Sequence, residues 1–276
     1  MSIINAVMRF VFDALLYPFR ELHPLVGLTL VSAVFGVFAL LLFKWTSDQD
    51  KIDRVKRKIY AGLFEIRLFN DDLRAIFRAM FEILRHNLTY VRLSLIPLAW
   101  MLVPFVLVVA QLQFHYGYEG LEPGDTTLLT ATLKGDWPPG TRPEARLEAP
   151  VGVTVEAGPV WAPVVSELTW RIAAEEWGDY ELRLTVDGET VTKTVNVGED
   201  ISRRSTVRPS SFLDQVLYPA EPPLPGSGPI ARIELEYPPA NAGVTGWESE
   251  ITWLLVFLVL SVVFAFALKK PLGVTL

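Results

Sequence analysis

Three uncharged apolar stretches, Leu25 to Phe43, Leu93 to Leu112 and Thr252 to Leu268, constrain this chain more than any other feature. Each is close to the ~20 residues that a helix needs to cross a ~30 Å hydrocarbon layer. Basic residues bound them: Lys44 after the first, Arg92 before the second, Lys269 and Lys270 after the third. Uncharged runs of this length are hard to place in a soluble fold, so they read as three transmembrane helices. Composition agrees, with 51% hydrophobic residues against 20% charged and a positive mean hydropathy. The first stretch exceeds the ~7–15 apolar residues of a cleavable signal peptide, and basic residues follow it where a small-residue cleavage site would stand. It is expected to be an uncleaved anchor.

Charge sets the orientation. Between the first two stretches lie Lys44, Lys51, Arg54, Lys56, Arg57, Lys58, Arg67, Arg74, Arg78, Arg85 and Arg92, while only Arg9 and Arg20 precede the first. Short loops rich in lysine and arginine stay in the cytoplasm. The sequence therefore predicts a multi-pass protein of the cell (inner) membrane, with its N-terminus and the segment Gln113 to Glu250 outside and its C-terminus cytoplasmic. The outer segment is rich in acidic residues such as Glu119, Glu175, Glu176, Asp179 and Asp200, which is compatible with that side. With no cysteine, the chain has neither disulfides nor thiolate metal sites.

Residues 1–23 read as an outer interfacial amphipathic helix, with Ile4, Val7, Met8, Val11, Ala14, Leu15 and Phe19 at helical spacing and Pro18 bending or ending it. Transmembrane helix 1 follows over 24–44. Residues 45–92 read as a cytoplasmic helical hairpin, coiled-coil-like, in which Ile52, Val55, Ile59, Leu63 and Ile66 face Leu73, Ile76, Phe77, Met80, Phe81 and Leu84. Asn70, Asp71 and Asp72 suit the turn and the second helix's N-cap. A single helix running on into the second span is the other arrangement this pattern allows. Lys56, Arg57 and Lys58 form a candidate cytoplasmic contact, read first as a topology and headgroup device; contact with RNA is the less favoured reading, and nucleic acid is not expected as a partner. Transmembrane helix 2 spans 93–114, and Pro97 and Pro104, seven residues apart, should kink or loosen it. With Thr29, Ser32 and Ser94, the small polar groups at suitable depth, these prolines make up a candidate membrane groove.

The outer segment carries β signals. Strands are predicted at Thr126–Leu133, Val151–Glu156, Glu167–Ala173, Tyr180–Val186 and Thr190–Val197. Asp187-Gly188 supplies a two-residue hairpin turn. Trp170 reads as core, and Tyr180 after Gly178-Asp179 resembles the tyrosine of an immunoglobulin-like corner. A β-sandwich is thus expected over 115–199, and an irregular segment over 200–250 with a short helix at Ser211–Leu217 and a strand at Ile230–Tyr237. The tract Asp214 to Pro219 (DQVLYP) echoes Asp13 to Pro18 (DALLYP), and both read as interfacial helices on the outer leaflet with tyrosine at headgroup depth. Transmembrane helix 3 over 251–268 and a cytoplasmic tail over 269–276 complete the chain. The fold class is an α-helical membrane protein of three transmembrane helices and a cytoplasmic hairpin, carrying an all-β immunoglobulin-like extracytoplasmic domain.

Little in the sequence points to catalysis. His23, His86 and His115 are isolated, without metal-ligand spacing, and no HExxH, GxSxG or phosphate-binding glycine motif occurs. Glu175 and Glu176 read as solvated loop residues. None of the three apolar stretches contains Asp, Glu, Lys, Arg or His, which an ion-coupled pump would need. The chain is expected not to be an enzyme and to need no cofactor.

The order of parts carries a family resemblance. The stretch Phe12 to Ser47, FDALLYPFRELHPLVGLTLVSAVFGVFALLLFKWTS, with Leu40 to Phe43 followed by Thr46, resembles the start of the core of the YidC/Oxa1 membrane insertases. The three-span layout is similar to that of the EMC3/TMCO1/Get1 group. The resemblance covers roughly the first 115 residues and the last span. It implies a membrane protein biogenesis factor that assists insertion or folding of membrane segments, with lipid and nascent membrane-protein segments or other membrane subunits as partners. Bacterial insertases carry an arginine in the first core span lining a hydrophilic groove; the corresponding position here is Ala39. The alternative is a non-catalytic, membrane-anchored binding or assembly subunit that uses the outer sandwich.

Overall fold

Helix α1 (Ser2–Leu16) stops where Tyr17–Phe19 tightens into a 3₁₀ turn around Pro18, whose ring nitrogen has no hydrogen to donate. Pro24 then opens α2 (Pro24–Thr46), with His23 Nδ1 accepting from the Leu25 amide at 3.3 Å. Helix α2 ends as Thr46 Oγ1 donates to the Leu42 carbonyl and Ser47 Oγ to that of Phe43. Asp48 caps α3 (Gln49–Leu68), accepting from the Lys51 amide at 3.0 Å. Asp72 caps α4 (Leu73–Tyr116) through the amides of Arg74 and Ala75. The structure is a computed structural model and describes residues 2–69, 71–135, 137, 140–240 and 251–274. Asn70 lies outside them, so the expected turn is seen only at Asp71 and Asp72.

Helices α2 and α4 are long and apolar enough to cross a membrane; α6 (Thr252–Leu268) is apolar and shorter, at 17 residues. Helix α4 runs unbroken for 44 residues through both Pro97 and Pro104. The second arm of the expected hairpin and the second apolar stretch are thus one helix, the other arrangement the pattern allowed. The chain divides into two compact units. One comprises Met1–Leu28 and Leu107–Leu255 and holds the β-structure; the other comprises Thr29–Val106 and Val256–Leu276 and is helical.

In the β-containing unit two sheets share one core. A five-stranded sheet runs in the order β3 (Val153–Ala162), β4 (Glu167–Ala174), β1 (Thr126–Leu133), β8 (Ile230–Leu235), β7 (Val207–Pro209). A three-stranded sheet runs β2 (Ala145–Glu148), β5 (Gly178–Val186), β6 (Glu189–Val197). Alternation turns Leu129, Ala131 and Leu133 of β1, Trp170 and Ile172 of β4, and Leu182, Leu184 and Val186 of β5 inward, all nearly solvent-free. Trp170 is core, as its strand context predicts. The β5–β6 hairpin turns at Asp187 (φ 47°) and Gly188 (φ 84°), the two left-handed residues of the expected tight turn. Tyr180 Oη donates to the Glu176 carbonyl at 2.9 Å, as a corner tyrosine does. Strand β8, expected at Ile230–Tyr237, sits between β1 and β7, so the segment after residue 200 adds two strands to the sheet. The short strands β2 and β7 lacked an alternation long enough to read.

Strand β6 is an edge, and residues 200–222 cover it. The Thr194 amide donates to Glu221 Oε1 (2.8 Å) and the Asn196 amide to Tyr237 Oη (2.9 Å), while the Thr192 carbonyl accepts from Arg208. Side chains thus satisfy an edge that would otherwise invite pairing. Lys193 occupies an inward register position and is completely buried, yet its ammonium meets three acceptors: Glu221 Oε2 (2.7 Å) and the Thr194 and Ser205 carbonyls. Burial favours neutral groups here. For Glu221, however, the adjacent Lys193 ammonium, the Ser205 hydroxyl and the Thr194 amide outweigh it and hold the carboxyl below its ordinary 4.5.

Removing one partner leaves the other charged and buried. Glu221→Ala should cost about 3–5 kcal/mol, read as a lowered Tm of the β-rich unit's unfolding transition by near-ultraviolet circular dichroism. Because the folded carboxyl titrates below the unfolded one, its stabilisation is complete above about pH 4.5 and is lost as pH falls through the folded value. A Glu221→Gln chain should accordingly show a shallower loss of Tm on acidification below pH 4.5 than the parent.

Candidate functional site

In the helical unit, α2 and α6 approach closely at Gly36: a Cβ there would stand 2.8 Å from the Ser261 carbonyl and 3.2 Å from Phe264 Cβ. Next to this contact the Phe35 ring packs on Phe257 (5.3 Å between centroids) and on Phe105 of α4 (6.1 Å). The three helices therefore meet at an aromatic cluster and leave a groove of about 560 Å³ beside it. Its walls are carbon: Ala39 of α2, Leu95, Leu98 and Leu102 of α4, and Leu258 and Val262 of α6. Leu95, Leu98, Leu102 and Val262 are each more than half exposed, so the groove opens outward. Ser261 is the polar residue lining the groove, but its hydroxyl is shut away from the opening. Ser261 is 7% exposed and its hydroxyl has no hydrogen-bond partner among the described residues.

The residues singled out as a groove from the sequence lie elsewhere. Thr29, Ser32, Ser94, Pro97 and Pro104 are absent from its walls. Ser32 and Pro97 are buried, Thr29, Ser94 and Pro104 half-buried. Ser94 Oγ donates to the Tyr90 carbonyl of its own helix at 3.0 Å, the local bond that a hydroxyl in an apolar helix makes. On α4 the groove face runs through 95, 98, 102 and 105, one position round from the 94, 97, 104 face. Ala39, by contrast, is on the wall, and the groove there is apolar where the family resemblance implies a hydrophilic one.

The basic triplet is not one patch either. Lys56 turns onto the Tyr90 ring, 5.5 Å from its centroid, and burial, with Lys269 adding to it, lowers its pKa against the pull of Asp53. Arg57 pairs with Asp53 one turn back on α3, and Lys58 is exposed.

A different surface of the hairpin stands out. Helices α3 and α4 pack through small residues, since a Cβ on Gly62 would fall 2.7 Å from Ile83 Cγ1 and 3.8 Å from the Ala79 carbonyl. Ile52, Gly62 and Ala79 are buried in consequence. Of the residues expected to close the hairpin, Ile52 is buried and Val55, Ile59, Ile66 and Ile76 are half-buried, but the others point outward: Leu73, Phe77, Met80, Phe81 and Leu84 on α4 and Leu63 on α3 are each at least half exposed, as are Phe64 and Leu68. The physical reason is geometric. Once Gly62 sets the close approach, the contact runs through Ala79 and Ile83, and the 73/77/80/84 stripe is rotated off it. The sequence signal was present, because α4 begins with more apolar residues than one stripe can use.

In the β-containing unit a polar cluster joins parts distant in sequence. Arg203 donates to Asp13 Oδ1 (2.7 Å), to Gln111 Oε1 (2.7 Å) and to the Arg9 carbonyl (3.1 Å). His115, 3% exposed, sets one ring nitrogen 3.0 Å from the Gln111 carbonyl and the other 3.2 Å from Asp13 Oδ1. Burial alone would raise the Asp13 carboxyl, but the bonds from His115 and Arg203 prevail and hold it below 3.8. His115, isolated in sequence, is thus paired in space. Among the described residues no three His, Asp or Glu side chains gather as metal ligands.

No family model matches the chain, and no curated protein does. Among solved structures, domains 4 and 5 of the S-layer protein SbsC align over 30% of this chain and 47% of their own, at 17% identity and a TM-score of 0.23. The chain thus spans about half the length of that structure, and a likeness of this degree carries no argument.

Gly62 should be the hairpin's fulcrum. Gly62→Leu is expected to separate α3 from α4 and to accelerate amide hydrogen exchange over residues 55–66 and 76–86, while exchange in the β-rich unit stays as in the parent.

Proposed function

We propose that the chain is a multi-pass membrane protein that assists the insertion or folding of other membrane segments. In this reading α2, α4 and α6 cross the bilayer, with the hairpin cytoplasmic and residues 113–250 outside. Helix α6 spans about 26 Å at 1.5 Å per residue, near the lower limit for a crossing. The observation that carries the proposal is the outward-open, carbon-walled groove between α2, α4 and α6, in the same unit as a hairpin that exposes Leu73, Phe77, Met80, Phe81 and Leu84. An apolar client segment leaving water would meet the hairpin face, whose flexible Met and flat aromatic side chains adapt to varied sequences. It would then find in the groove a wall of matching chemistry. No step in this requires an active-site residue or a cofactor, and the outer β-sandwich, immunoglobulin-like in its tyrosine corner, plays no part in the transfer.

The groove's lack of charge favours one further reading. A permanent subunit could leave a transmembrane helix in it, making this chain a membrane-anchored assembly subunit. The two differ in residence time. A photoreactive residue at Leu98 or Leu102 should crosslink short-lived nascent membrane segments, while the same residue at Trp45, 77% exposed and away from the groove walls, should not. Crosslinking at these positions to lipid alone would count against the biogenesis reading. A stoichiometric protein partner retained through purification in mild detergent would favour the assembly subunit.

A further inference from the structure

Helix α1 is patterned inside out. Its polar residues face the protein: Asn5 Nδ2 donates to the Gln215 carbonyl at 2.7 Å, Arg9 to the Pro219 carbonyl at 3.2 Å, and Asp13 accepts from Arg203. The face turned away is apolar, with Ile3 77%, Val7 55%, Phe10 74% and Tyr17 64% exposed. Steps of four and three residues place Ile3, Val7, Phe10, Ala14 and Tyr17 within an arc of roughly 80° at 100° per residue. In water this arrangement is the wrong way round.

Two of the polar anchors tie α1 to a second exposed apolar element. Asn5 and Arg9 hold α5 (Asp214–Leu217) and the residues after it; Phe212 and Leu213 just before α5 and Leu217 at its end are 59%, 75% and 56% exposed. The Tyr218 ring lies 6.3 Å from that of Phe114 in the last turns of α4. We propose that the β-rich domain is seated on the outer leaflet of the lipid bilayer through Phe212, Leu213 and Leu217, which extend the apolar stripe of α1 into one lipid-facing surface. The proposal rests on the membrane-spanning reading given above.

Depth supports a lipid occupant over a protein one. Gly27, in the first turns of α2, has no room for a side chain, because a Cβ would overlap the Tyr116 hydroxyl and stand 3.3 Å from Leu16 and 3.5 Å from Phe19. Helix α1 and its 3₁₀ turn are thereby clamped where α2 begins and α4 ends, and Arg203 and His115 add a second clamp at Asp13 and Gln111. If α2 and α4 cross the bilayer, those helix ends mark its outer boundary, and a stripe held there meets the headgroup and upper acyl region. At the stripe's end the Arg20 guanidinium lies 4.7 Å over the Tyr17 ring, a pairing of cation and aromatic suited to that boundary.

The absence of cysteine makes the test direct. Single variants Phe10→Cys, Leu213→Cys, Leu217→Cys, Val34→Cys and Val164→Cys of the full chain would be spin-labelled and placed in nanodiscs of phosphatidylcholine and phosphatidylglycerol. Collision with oxygen, which partitions into lipid, would be compared with collision with a water-soluble nickel chelate. Val34 reports α2, and Val164, 96% exposed, sits in the turn between β3 and β4 at the sheet edge opposite β7. Positions 213 and 217 should favour oxygen as strongly as position 10, with 164 favouring nickel. The proposal is overturned if 213 and 217 match 164 while 34 still favours oxygen. If 34 itself favours nickel, the spanning reading fails and the seating with it.

Discussion

Arg203 is the fastener on which the arrangement of the β-rich unit depends. Its guanidinium is nearly buried and reaches the carboxylate of Asp13 on α1, the side chain of Gln111 on α4 and the main chain at Arg9. A forked, permanently charged donor is suited to this task, because it can satisfy several acceptors at fixed angles while desolvated. Without it Asp13 would be a half-buried carboxylate facing His115 alone. The neighbouring Arg204 does the same within the domain, donating to Asn196, Tyr118, Gly198 and Asp200. Two consecutive arginines, one pointing to the helices and one to the sheet, anchor the chain where it leaves β6.

That anchoring holds residues 200–222, in which regular structure is limited to the short β7 and α5. The segment lies against the open edge of β6 and supplies Arg208, Glu221 and, further on, Tyr237 to backbone groups that a further strand would otherwise pair. Its polar content is a consequence of that job. A buried ion pair is a poor source of net stability, yet it opposes a change of register: a two-residue slip of β6 would leave Lys193 in the core away from its acceptors, and a one-residue slip would turn Val191, Val195 and Val197 outward with it.

Much of this architecture was legible in the sequence. Alternation in Tyr180–Val186 and the Asp187-Gly188 turn gave the β5–β6 hairpin, and uncharged length gave the apolar helices. Side-chain partners were less accessible. Lys193 shares the register of Val191, Val195 and Val197, a visible sign that a charge was being buried, yet nothing local names Glu221 as its mate. The groove went unread for a related reason. Small polar residues do not mark its walls, since the Ser94 hydroxyl bonds to its own helix, and the space is lined instead by Gly36, Ala39 and apolar side chains beside Phe35. In the hairpin, periodicity set the stripe from Leu73 to Leu84 against α3, whereas the close approach at Gly62 brings Ala79 and Ile83 there instead.

The carbon walls of the groove leave a charged group nothing to bind. An aspartate or lysine placed against Leu98, Leu102 and Val262 would surrender its hydration with no partner in exchange, because the Ser261 hydroxyl is itself shut away from the opening. Such a surface discriminates by polarity alone, without any charge of its own.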